Sequence, residues 1–97
     1  MKFKPADRKA QILTEALRQA RTRGYQNVRV AHIAEALGIS TGLVFHHYPS
    51  VPRLKRAIMG AAVDQRIPEI VAQGLAAKDP RAMNAGDELK SMARATL

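Results

Sequence analysis

Apolar residues recur along this chain at helical intervals. Ile12, Leu13, Ala16, Leu17 and Ala20 mark a first amphipathic helix over about residues 6–23, and Gly24 stops it. Arg18, Arg21 and Arg23 crowd its end, where cations suit the helix dipole, so they need no further role. Tyr25 to Arg29 forms a link, with the Tyr25 ring expected in the core and its hydroxyl at the surface. Val30, Ile33, Ala34 and Leu37 share one face of a second helix over 30–37. Gly38 ends it, Ile39 turns inward, and Ser40 caps a third helix over 41–47 that Pro49 keeps short. Ser50 and Pro52 open a fourth helix over 51–66, striped with Leu54, Ile58, Ala61, Ala62 and Val63. Pro68 breaks or kinks the chain. Beyond it, Ile67, Ile70, Val71 and Leu75 predict a fifth helix ending near residue 77. Asp79-Pro80 begins a turn or short helix, and Asp87 caps a last helix over 88–96 with Leu89, Met92, Ala93 and Leu97 on its apolar side.

Two helices around a glycine-containing corner, the second short, make a helix-turn-helix. Around it, Gly24-Tyr25, IAEALGIS, TGLVFHHYPS and Leu54 resemble the N-terminal DNA-binding region of the TetR/AcrR repressor family, over about residues 8–66. The resemblance implies a three-helix DNA-binding head and a homodimeric repressor acting on a palindromic operator. Three positions depart from it. Phe45 stands where the family usually has a phosphate-touching tyrosine, Val51 where it has a phosphate-binding lysine, and Arg29 where it has a capping Thr or Ser.

Charge sharpens this picture. The net charge is +8. Residues 1–66 hold twelve Lys/Arg against Asp7, Glu15, Glu35 and Asp64, a surplus of eight; residues 67–97 hold four of each sign. A basic half beside a neutral half fits a reader of double-stranded DNA joined to a protein-contact segment, although a generally basic surface gives the same count. The basic tail carries Lys2 and Lys4. No cysteine is present, which excludes disulfides, thiol nucleophiles and Cys-based metal sites. No run approaches a membrane span, and the N-terminus lacks the apolar core of a leader, so a cytoplasmic protein is expected.

His32, His46 and His47 raise a metal hypothesis that spacing disfavours. Neighbours on a helix point about 100° apart, and no carboxylate lies one turn from His46 or His47. With no nucleophile triad and no phosphate loop, no enzyme, cofactor or metal is expected. On the reading helix, Val44 and Tyr48 should face inward, leaving Thr41, Gly42, Leu43, Phe45 and His46 toward the groove or its walls, with His46 and His47 as donors to phosphate or base edges. Gly42 marks either close backbone approach to DNA or a loose first turn. Leu43 either meets a thymine methyl or turns into the core, and Phe45 lies against the sugar-phosphate wall or in the core. Arg53 is expected to replace the charge missing at Val51, with Arg29 and Lys55 as further phosphate contacts.

The fold class expected is therefore all-α: a helix-turn-helix head over 1–50, then a linking helix and helical dimerisation segment over 51–97. The apolar residues Ile67, Ile70, Val71, Leu75, Leu89, Met92 and Leu97 are too few to close a core alone, so a second copy is expected to share them. About thirty residues after the fourth helix are too few for a ligand pocket, and no small-molecule effector is expected. A protein-interaction module that has lost DNA affinity is the rival reading, favoured by Phe45 and Val51 and opposed by the charge.

Overall fold

The computed structural model describes residues 4–96, all of whose regular elements are helical. They are α1 (Pro5–Arg23), a 3-10 turn (Tyr25–Asn27), α2 (Val30–Leu37), α3 (Thr41–His47), α4 (Val51–Asp64), α5 (Pro68–Ala76), α6 (Pro80–Met83) and α7 (Asp87–Arg94). Most boundaries follow local chemistry. Gly38 ends α2 in the left-handed region at φ 66°, as an unpenalised left-handed residue should. Ser40 and Ser50 cap α3 and α4 by accepting N–H bonds from Leu43 and Arg53, at 3.0 and 3.3 Å. Arg29 precedes α2 without making a side-chain cap.

Two ends differ from expectation. The fourth helix closes at Asp64, because Arg66 takes a left-handed conformation (φ 56°) and lets the Ile67 N–H reach the Ala62 carbonyl at 2.8 Å. Pro68 then opens α5 instead of kinking a longer helix. Asp87 lies inside the first turn of α7; Gly86 holds the cap position, and no side chain bonds there.

One buried core runs through the chain. Ile12, Leu17, Ile33, Val44, Leu54 and Ile58 join Ile67, Ile70, Val71 and Leu89 in a single cluster. The boundary expected at residue 50 therefore does not divide the core, since α5 packs on α4, α1 and the 3-10 turn while α7 packs on α5. The buried apolar side chains of the last third find partners within their own chain. Gly74 permits the closest approach, since a Cβ there would lie 2.5 Å from Met59 Cε and 2.7 Å from Ala82 Cβ. No described helix is long and apolar enough to cross a membrane.

Candidate nucleic-acid interface

The reading helix is held from behind. Val44 is fully buried, and Tyr48, one turn on, is buried with its hydroxyl 3.4 Å from the Lys9 carbonyl, to which it donates. The Lys9 ammonium sits 5.3 Å from the centre of the Tyr48 ring, a cation–π distance. Burial raises the Tyr48 pKa, so the hydroxyl keeps its proton for that bond. These contacts tie α3 to α1 and fix which face is left outside.

That outer face carries Thr41, Gly42, Phe45 and His46, all exposed. Phe45 is 39% exposed, so of its two expected positions the structure gives the surface. Leu43 is partly buried yet does not join the core cluster. At Gly42 an added Cβ would find its nearest neighbour, Ser40 Oγ, at 3.8 Å, so intramolecular packing does not demand glycine there. His46 and His47 stand edge to face with ring centres 5.1 Å apart. Among the described residues, no group of three or more His, Cys, Asp or Glu is placed to hold a metal.

His47 leaves the outer face. It is partly buried on the α1 side of the helix, in a groove it shares with Lys9. Its pKa is lowered, first by burial and then by the positive charges of His46, Lys9 and Arg8. At neutral pH it therefore offers a single N–H and no formal charge.

The flanks of α3 supply exposed cations. Arg53 stands in the first turn of α4, two positions after Val51, which is 40% exposed. Arg29 is exposed at the start of α2. Lys55 turns away, its ammonium donating to Gln26 Oε1 at 3.2 Å, which holds the link between α1 and α2 against α4. Lys4 is exposed at the start of α1, while Lys2 lies outside the described residues.

Contacts from the last third reach the back of this head. The Tyr25 backbone N–H donates to Gln73 Oε1 of α5. The Tyr25 hydroxyl, expected at the surface, is buried instead and donates to Asp79 Oδ2 at 3.2 Å. Burial and the Asp79 carboxylate both raise its pKa. Arg21 pairs with Glu69 of α5 at 3.6 Å. None of these long-range polar contacts has a local sequence signal.

The residues assigned by sequence to a shared dimer core are divided by the structure. Ile67, Ile70, Val71 and Leu89 are buried within the chain, and Leu75 is partly buried against the same core. The segment does not close a core alone; α5 packs on α1 and α4 of the same chain, so these buried residues are covered without a second copy. Met92 is 41% exposed, and Leu97 lies outside the described residues.

An anchored short helix with a free outer face, presented after a glycine corner, defines a helix-turn-helix head of the DNA-binding type. Residues 12–58 match the model of the bacterial regulatory proteins of the tetR family. Over 49 residues the chain is 41% identical to the HTH-type transcriptional repressor AcnR of Corynebacterium jeikeium (strain K411), which covers 50% of this chain and 26% of that protein. The chain thus spans about a quarter of the length of the curated relative it matches. No solved structure matches. The helix-turn-helix region of this chain is thus similar to that of the TetR family of regulators.

Proposed function

We propose that the chain is a homodimeric transcriptional repressor that reads a palindromic operator with α3 in the major groove. The observation that carries this reading is the outer face of α3, where Thr41, Gly42, Phe45 and His46 are exposed while Val44 and Tyr48 anchor the helix from behind. Thr41 and His46 offer hydrogen bonds to base edges or phosphates, and the partly buried Leu43 offers methyls to thymine. Arg53 and Arg29 neutralise phosphates on either side and set the register. The mechanism is occlusion: two heads on successive major-groove faces, about 34–36 Å apart, exclude other proteins from the operator.

Pairing falls to the outer surface of the last third. Met83 is 50% exposed on α6, and Met92 is exposed on α7, leaving apolar surface after the intramolecular core is closed. The binding reaction is tested by titrating duplex DNA at increasing salt. Each phosphate neutralised should contribute a slope of about −0.9 in log K against log salt. A chain with no salt-sensitive duplex binding refutes the repressor reading.

One observation favours a second reading. Phe45 and Val51 are both large, apolar and exposed beside the reading helix, as a protein-binding surface requires. That reading makes the head an interaction module pairing with another regulator, and failure of duplex binding would promote it.

A further inference from the structure

Beside the head, α1, α3, α4 and α6 enclose an open groove of about 840 Å³. That volume is within the range of small-molecule sites, roughly 300–1,000 Å³. Lys9, Arg53, Arg56 and Arg81 line it against a single carboxylate, Asp64, a surplus of three positive charges without counting His47. None of the four cations forms an ion pair among the described residues. The floor is apolar where Leu13, Ala57 and Ala61 line it, and bare at Gly60, over which the Arg81 stem lies. A Cβ at residue 60 would sit 3.8 Å from Arg81 Cδ, in ordinary contact. The pKa of His47 at the edge of this groove is lowered first by burial, with the charges of His46, Lys9 and Arg8 adding to it.

We propose that this groove binds a free organic phosphate, an anion whose apolar body rests on Leu13, Ala57 and Ala61 while Arg56 and Arg81 hold its charge. Guanidinium forks suit phosphate oxygens, which they can engage in pairs. Operator DNA is a second source of phosphate, and the geometry separates the two. Arg53, at the start of α4, is within reach of a backbone lying across α3. Gly60, where Arg81 crosses, is seven residues further along the same helix, about 10 Å away at 1.5 Å per residue. An apolar floor also has no use for a sugar-phosphate strand. The site does not rest on the DNA reading, and it departs from the expectation that no small molecule is bound.

The test uses the full chain labelled with ¹⁵N, at constant ionic strength, with ATP as the probe and pyrophosphate and adenosine as comparison ligands. ATP should move the Leu13, Ala57, Gly60 and Ala61 amides saturably and bind more tightly than either part alone. Arg81→Gln, an exposed change, should weaken ATP about tenfold, the usual loss of one charge-assisted contact, while leaving duplex affinity unchanged. Unchanged ATP affinity in that variant, or shifts confined to surface cations with no response from the floor, overturns the proposal. Equal weakening of ATP and duplex DNA also overturns it, by assigning the groove to the DNA backbone.

Discussion

Gly74→Ala sets two known effects against each other inside α5. In an exposed helix interior the change would stabilise by about 1 kcal/mol, because alanine has the better helix propensity. Here the new methyl would meet Met59 Cε at 2.5 Å, Met59 Sδ at 2.7 Å and Ala82 Cβ at 2.7 Å. Carbon atoms prefer separations of about 3.5–4.0 Å, so each contact is roughly an ångström too short. Met59 is flexible but completely buried, and Ala82, also completely buried, has no rotamer with which to yield. Overpacking of this kind costs about 1–3 kcal/mol. The clash should win, leaving a net loss of up to about 2 kcal/mol. In a domain near this size each kcal/mol lowers Tm by about 4–8 °C. Urea and thermal unfolding followed by circular dichroism would measure it. Adding Met59→Val to the variant should recover part of the loss, since neighbours of this kind are not additive. A Gly74→Ala chain as stable as the parent, or more so, would refute the packing of α5 on α4 and α6 described above.

Three further outcomes follow from the same structure. Arg53→Ala should weaken binding to all duplex sequences alike and reduce the salt slope by about 0.9, with Tm unchanged, because the side chain is exposed; wild-type affinity would move the contact to Arg29. His47→Gln should remove part of the acid-side loss of stability in a pH series of urea melts. The folded-state pKa of His47 lies below its unfolded value, so its contribution is fully present above the unfolded pKa near 6.5. That contribution is lost as pH falls through the folded pKa, because the unfolded chain binds the proton more readily; identical profiles would contradict this. Truncation after Arg66 removes Ile67, Ile70, Val71 and Leu89 from the common core. Each such side chain contributes about 1.5–3 kcal/mol by burial, together about 6–12 kcal/mol, comparable to a typical domain's whole margin. The shortened chain should show no cooperative melt at 25 °C or above, and a sharp transition would mean that the head is self-sufficient.

The head was legible because its signals are local. Gly38 tolerates a left-handed corner, Ser40 and Ser50 cap the helices that follow them, and the 3–4 spacing of Val30, Ile33, Ala34 and Leu37 sets the inner face of α2. The inward places of Val44 and Tyr48 follow from the same helical arithmetic. Each depends on residues within a turn or two, so the sequence alone contained the information. Three things required the folded chain. Arg66 and Lys78 end α4 and α5 in left-handed conformations that usually call for glycine, and neither residue type predicts such an end. Phe45 was equally compatible with core and surface until the packing behind α3 was filled by Val44 and Tyr48. The last third was read as a segment awaiting a second copy, because counting its apolar residues alone left them without partners. Ile70 and Val71 lie on α5, which packs on α1 and α4, Leu89 lies on α7, which packs on α5, and Tyr25 is joined to Gln73 and Asp79 across 48 and 54 residues. Periodicity tells which face of a helix is buried; only the tertiary arrangement decides what buries it, because that contact joins residues with no fixed spacing in the chain.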